Sequence, residues 1–416
     1  MAGRVPDAGR EGSTAEMSGF TWTPDRFNER VRAATPMPRA GGVPSDVISL
    51  AYGMPDPALF PAAGLAEAAE EALRDAATCA VALQYGNVGG NPLLLAELSR
   101  KLAAEEGRAV EAGSLAMTNG SSQAIALVVQ ALANPGDVCL CEAPTFLGTI
   151  HHIRFHGIRT VPVTLDDEGL DVEALEREIH RLEAAGTPPR FVYTIPTFNN
   201  PAGVTMSLGR RRALLEVASR HGVPVIEDDA YRDLRFEGEP VPTLHALDRD
   251  GLVIRLGTFS KIVAPGVRLG FVLADPAVNE RVLAFKAEGS TNGFASMVVG
   301  TFMKRGGLAA HIQTLRAEYR RRRDAMNDAL EREMPEGVRW TRTEGGFFLW
   351  LTVPSRADMT KVAARAAEER VIALPGTECF PDGRGTHNLR LAFSLQPPDR
   401  IAEGVRRLAR AIRAGL

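Results

Sequence analysis

GLVIRLGTFSKIVAPGVRLGF, residues 251–271, is the stretch from which the rest of the chain can be read. Its first part, GLVIRLGT, is apolar and β-branched, as a buried strand should be. The part that follows carries Gly and Pro and cannot continue that strand. Between them stand Ser260 and Lys261, with Arg268 seven residues further on. The sequence has five lysines, Lys101, Lys261, Lys286, Lys304 and Lys361. Lys261 alone follows a strand end and enters a Gly/Pro loop. Such an amine has two readings. It is a salt-bridged surface lysine, or burial and nearby cations lower its pKa and make it a nucleophile toward an aldehyde. In the second reading Thr258 and Arg268 offer a hydroxyl and a fork of donors to a phosphate.

The same alternation extends upstream from about residue 90. Asn91 and Pro92 suit the start of a helix, because Asn caps free amides and Pro fits the first turn. Strands are predicted at SLAMT, VCLCE, TVPVTL, FVYTI and PVIED, and amphipathic helices at AIALVVQALA, residues 146–156, DVEALEREIHRLEAAG and LGRRRALLEVASRHG. This pattern predicts an α/β fold with a mostly parallel sheet between helices, and ligands at the carboxyl ends of its strands. At those ends stand Gly120-Ser121-Ser122-Gln123, Thr197-Phe198-Asn199-Asn200-Pro201-Ala202-Gly203 and Asp228-Asp229-Ala230-Tyr231. Each has an ordinary reading as helix cap, turn or solvated loop. Each also has a chemical one: free amides and hydroxyls for an anion, a polar amide, and an acid placed against a cationic ring nitrogen. After about residue 300 a long charged helix leads into a smaller strand–helix set ending in LRLAFS and a final helix. The expected division is a tail over 1–20, a segment over 21–60 packing with the small domain, a large domain over 61–300 and a small domain over 301–416.

Composition narrows the function classes. Of 416 residues, 45% are apolar and the net charge is −3, so a large core is available without a basic footprint for nucleic acid or an anionic membrane. No apolar run reaches the roughly 20 residues that span a bilayer, and the first 20 residues hold no signal-like apolar stretch. Cys79, Cys139, Cys141 and Cys379 form no CxxC pair, and no His/Cys cluster has metal-ligand spacing. Strand alternation puts Cys139 and Cys141 on one face as buried thiols. A cytoplasmic protein without a metal is expected.

Nine motifs in order, ISLAYGMPDPALFP, QYGNVGGNPLLLAEL, TNGSSQAI, APTF, FNNPAG, IEDDAY, GTFSKIVAPGVRLGF, GGFFLWL and LRLAFS, resemble those of the pyridoxal-phosphate-dependent class I/II aminotransferases of fold type I. The resemblance runs from about residue 48 to the C-terminus and lies nearest the 2-aminoadipate and kynurenine aminotransferase branch. It implies transfer of an amino group between an L-amino acid and a 2-oxo acid by a ping-pong mechanism. It further implies that Lys261 bonds the aldehyde of pyridoxal 5'-phosphate and carries the proton, while Asp228 pairs with the ring nitrogen. Asn200 and Tyr231 hold the ring's 3'-oxygen, and Phe146 stacks on the ring. Ser121, Ser122, Thr258 and Arg268 bind the phosphate, joined by Tyr85 of a second subunit in a homodimer. Arg390 grips the substrate carboxylate.

Two positions depart from the family pattern. Phe146 replaces a common Tyr, and Tyr52 replaces the first Gly of a GGLPDP-like segment and places bulk at the pocket mouth. Tyr52 and Asn292, in GSTNGFAS, are expected near the substrate side chain, and Arg30 and Arg32 are candidates for a second carboxylate. The same motifs serve a lyase, decarboxylase, cyclase or oxidase. The effector half of a transcription regulator is disfavoured, because the residues before the match are too few and too rich in Pro and Gly for a winged helix-turn-helix.

Overall fold

The structure, a computed structural model, describes residues 23–26, 44–287 and 289–416. The tail expected over 1–20, and Arg30 and Arg32, lie outside the described residues. Strands are numbered in chain order: β1 (Ile48–Ser49), β2 (Leu115–Thr118), β3 (Val138–Ala143), β4 (Arg159–Asp166), β5 (Gly169–Leu170), β6 (Val192–Thr194), β7 (Val225–Asp228), β8 (Val253–Thr258), β9 (Gly270–Leu273), β10 (Arg339–Trp340), β11 (Phe348–Thr352), β12 (Val371–Ile372), β13 (Leu374–Pro375) and β14 (Asn388–Ala392).

The larger sheet has the order β2-β9-β8-β7-β6-β3-β4-β5. The run β8-β7-β6-β3-β4 is parallel throughout, whereas β9 lies antiparallel between β8 and β2. Its central strands read as unbroken apolar runs because both faces are covered. Cys139, Cys141, Tyr193, Ile226 and Ile254 enter one buried cluster, and Val138, Leu140, Val192, Val225 and Val253 the other. Cys139 and Cys141 therefore share a face, as alternation predicts. All four cysteines are free thiols, and burial pushes those of Cys139 and Cys379 up to about 12.

The layers of helix include Ser121–Leu132, Val172–Ala184 and Leu208–His221, each close to its sequence-predicted bounds. Asn91 caps Pro92–Glu106 by accepting from the Leu93 and Leu94 amides at 3.0 and 3.3 Å. Two helices that the sequence reading passed over, Ala62–Arg74 and Ala76–Leu83, precede it.

A four-stranded sheet, β10-β11-β14-β13, lies between the long helix Gly307–Glu333 and the last helix, Pro398–Gly415, in chain order. β1 pairs in parallel with β12, which ties the stretch ahead of the first helix to the later part of the chain. Residues from Gly41 onward form one compact unit; of the preceding unit the described part is a single turn, Pro24–Arg26. No helix among the described residues is long and apolar enough to cross a membrane.

Candidate active site

Because β2, β3, β6, β7 and β8 point one way, their carboxyl ends and the start of β9 converge on one edge of the sheet. Asp228 ends β7 and Asp229 follows it, and strand alternation sends the two side chains apart. Asp229 turns to Arg255 on β8, with an oxygen 2.8 Å from its guanidinium. Asp228 turns the other way and accepts from the Tyr193 hydroxyl at 2.6 Å through Oδ2, while its buried Oδ1 has no hydrogen-bond partner. Burial raises the Asp228 carboxyl to about 6, against the Tyr193 hydrogen bond and the Lys261 charge. A buried carboxylate with one saturated and one open oxygen is set up to receive an N–H or N⁺–H donor.

Lys261 follows β8 by three residues. Its part-buried amine donates to the Gly53 carbonyl at 3.2 Å. Burial first, then the Arg390 and Arg268 charges, pull its pKa down to about 8 from an ordinary 10.5. These are the conditions that make a lysine amine nucleophilic near neutral pH.

Arg390 projects from β14 and is buried. Its fork donates to Asn200 Oδ1 at 2.8 Å and the Ala51 carbonyl at 2.7 Å, its plane lies 4.4 Å from the Phe348 ring centroid, and its Nε has no partner. Asn200 also donates to the Tyr231 hydroxyl at 3.4 Å, and Tyr231 rests edge-on against Phe347 and Phe348. The 51–53 segment thus supplies carbonyls to both cations, with Tyr52 exposed between them.

A second cluster forms where Ser121–Leu132 begins. Gly120, at φ 86°, is its N-cap and makes no side-chain cap, so the first amides stay open. A Cβ on Gly120 would stand 2.4 Å from Arg268 Nη2, and one on Gly270 would stand 2.6 Å from the Gly120 carbonyl carbon. Only glycine allows this helix start to sit against β9. Arg268, in the left-handed region at φ 51°, reaches back to the Asn119 carbonyl at 3.2 Å. The Thr258 hydroxyl donates to Ser260 Oγ at 3.0 Å at the neighbouring strand end. Ser121 and Ser122 are the first two residues of the helix, the former half-buried and the latter exposed. Open amides, hydroxyls and a guanidinium make this a fitting anion cradle. With the open Asp228 oxygen and the activated Lys261 amine, the residues present fit a phosphorylated aldehyde with a basic ring nitrogen.

Phe146 follows β3, caps Leu147–Phe155 and packs against the core cluster that holds Tyr193. Of two other expected residues, Tyr85 is 93% exposed in this single chain. Asn292 uses its side chain to cap its own helix, accepting from the Ala295 amide at 2.9 Å, while its amide donates to Asn119 Oδ1 at 3.4 Å beside the anion cradle.

The structure adds residues that sequence reasoning missed. Tyr193, in FVYTI, anchors Asp228. Glu142, fully buried at the end of β3, accepts from the Thr194 hydroxyl, the Ile195 amide and the Asn199 side chain at 2.6–2.7 Å and so fixes the loop that carries Asn200. Burial pushes Glu142 up to about 7 despite those bonds. A polar residue inside an apolar strand was the available signal for both. The Ala51 and Gly53 carbonyls carry no such signal.

Comparison with known proteins agrees with this geometry. Residues 45–408 match the model of the family described as aminotransferase class I and II. The chain is 41% identical over 372 residues to aromatic-amino-acid aminotransferase 1 of Thermococcus litoralis, covering 89% of this chain and 88% of that protein. Among solved structures, kynurenine aminotransferase of Pyrococcus horikoshii, in complex with PMP and kynurenine, superposes with a TM-score of 0.88 at 38% identity, covering 94% of this chain and 97% of that one. LysN, the α-aminoadipate aminotransferase of Thermus thermophilus complexed with N-(5'-phosphopyridoxyl)-L-leucine, gives a TM-score of 0.82 at 37% identity, covering 89% and 93%.

Proposed function

Since this chain belongs to the class I and II aminotransferase family and is a pyridoxal-phosphate-dependent transaminase, we propose that Lys261 and Asp228 are the pair through which it works and that its catalysis is ping-pong. The observation that carries this is the facing pair at two neighbouring strand ends, an amine brought down to about 8 and a buried carboxyl with one oxygen open. When bound, pyridoxal phosphate supplies the aldehyde that takes up the amino group and the ring that holds the electron pair left on the substrate. Asp228 Oδ1 accepts from the ring nitrogen and keeps it protonated. Lys261 Nζ, once released, moves the proton at the substrate α-carbon. Asn200 and Tyr231 orient the ring's 3'-oxygen, and Phe146 bounds one of its faces. Ser121, Ser122, Thr258 and Arg268 hold the phosphate.

Arg390 exchanges its bonds to Asn200 and Ala51 for a substrate carboxylate, which suits its fork and its unpartnered Nε. Tyr52 and Asn292 border the donor side chain. Tyr85 reaches the phosphate of a second subunit in a homodimer; its 93% exposure beside exposed Val81, Leu83 and Val88 supports this reading. The large domain 61–300 and the small domain 301–416 act around that site, and free thiols fit a cytoplasmic setting.

Two measurements test the proposal. Borohydride reduction of the holoenzyme followed by peptide mapping should label residue 261, and a donor amino acid given alone should yield one equivalent of 2-oxo acid per chain. A label elsewhere sinks the assignment of Lys261. Ammonia or CO₂ release without the stoichiometric 2-oxo acid sinks the ping-pong transamination.

A further inference from the structure

The sequence holds no metal motif, yet the fold brings three ligand-type side chains together on the helix layer over the larger sheet. Glu176 and His180 stand one turn apart on Val172–Ala184, beside the buried stripe Val172, Leu175, Ile179 and Leu182. His221 is the last residue of Leu208–His221. One ligand atom from each of Glu176, His180 and His221 lies within 4.8 Å of the others. The two imidazoles cross edge to face at a centroid distance of 4.8 Å.

His221 gives the cluster its direction. Its side chain is 8% exposed and its Nδ1 lies 3.0 Å from Glu183 Oε1. Its Nε2 is buried with no hydrogen-bond partner and lies 3.7 Å from Glu176 Oε1. A carboxylate on Nδ1–H fixes the tautomer in which Nε2 carries the lone pair, the outer arrangement that metal-bound histidines use. A buried lone pair facing a carboxylate oxygen is a defect without a cation between them and a ligand pair with one. In a tetrahedral zinc site donors stand about 3.3 Å apart, so the His221–Glu176 spacing is already near that value and His180 closes by a side-chain rotation. Arg220, 59% exposed and 3.3 Å from Glu176, is the cation that would give way.

We propose that Glu176, His180 and His221 form a site for a divalent transition cation of the zinc type, with Glu183 as the outer partner of His221. Two imidazoles and one carboxylate favour zinc, nickel or copper over magnesium or calcium, which take oxygen shells. The ion joins the end of one helix to the side of its neighbour and contributes stability, apart from the transamination chemistry.

The test uses untagged holoenzyme, stripped with a chelator and titrated with Zn²⁺ by calorimetry and thermal unfolding. One ion per chain and a raised Tm are expected, with transamination rate unchanged and no comparable response to Mg²⁺. His180 is 63% exposed, so His180→Ala should fold and transaminate normally while losing at least tenfold in Zn²⁺ affinity, and Glu176→Gln should do the same. Absence of binding at micromolar zinc overturns the proposal. So does a His180→Ala variant that binds with unchanged stoichiometry and affinity, since the ion would then sit elsewhere.

Discussion

Asp228 and Asp229 are neighbours in sequence and belong to two different kinds of buried polar region. Asp229 enters an ion-paired network through Oδ2, although its Oδ1, like that of Asp228, has no hydrogen-bond partner. Arg255, itself 3% exposed, reaches Asp229, Glu105 and Glu106 at 2.8–3.0 Å, and Lys101 bridges Glu105 to Asp233. Burial alone would raise Glu105 and Glu106, but Lys101 and Arg255 for the first, and His245 and Arg255 for the second, bring both down to about 2. Asp228 enters an unsaturated region, where Oδ1 and Arg390 Nε lack partners and burial drives Asp228 and Lys261 toward neutral pH, about 6 and about 8. Charge held by opposite charge specifies the fold. Charge left half-paired is available to a ligand.

The contrast can be broken from either side. Lys261→Ala should lower kcat roughly 10⁴-fold, the upper end of what a positioned acid–base group contributes, with no loss of Tm; steady-state kinetics beside thermal unfolding check this. Arg255→Ala should do the reverse, costing about 3–5 kcal/mol of unfolding free energy by stranding the buried Asp229 carboxylate and removing one cation each from Glu105 and Glu106, with the specific activity of the folded fraction nearly intact. Denaturant titration measures the first quantity and active-site-normalised kinetics the second.

Smaller effects sharpen the comparison. Asp228→Asn keeps the Tyr193 contact but loses the charge, and should weaken cofactor binding by about 1.5–3 kcal/mol, roughly 10- to 100-fold in Kd by fluorescence titration. Asp229→Asn should lower stability and leave that Kd within about threefold. Tyr193→Phe removes the hydrogen bond that holds the Asp228 pKa down, so the acid limb of cofactor binding, expected near pH 6 in the apoenzyme, should move to higher pH.

The two regions also respond oppositely to acid. Glu105 and Glu106 titrate below their ordinary 4.5, so their contribution is complete above that pH and is lost as pH falls toward 2. Asp228 titrates above its ordinary 3.8, so the strain of its charge is absent below 3.8 and grows as pH rises through about 6. The smallest effect concerns Lys261. With a pKa of about 8, reaction of the apoenzyme with an aldehyde should rise roughly tenfold from pH 7 to 9 and then level, whereas an ordinary lysine keeps climbing.

Much of the unsaturated region is legible in the sequence, because ligand chemistry sits at strand ends and strand ends are marked by Gly, Pro and Asn. Lys261, Asp228 and Asn200 were all named from such positions, whereas Arg390, in the middle of a strand, was named only through the family resemblance. The ion-paired network was not legible. Arg255 lies inside an apolar strand, and its partners Glu105 and Glu106 end a helix far away in the chain. Their pairing depends on three-dimensional register. Tyr193 and Glu142 escaped for the same reason, since a period-two pattern shows which face a residue takes but not what waits there. The antiparallel placement of β9 between β8 and β2 brings Gly270 tight against Gly120, an approach that no local pattern announces.

The 51–53 segment has one adjustable part. Its hold on Lys261 and Arg390 comes from the main chain at Gly53 and Ala51, which no exchange of side chain can delete. Ala51 is buried, and a methyl at Gly53 would strike Phe348 at 2.3 Å. Tyr52, between them and half exposed, is free to vary. A library confined to that single codon would explore which donors are admitted while leaving the machinery behind it in register.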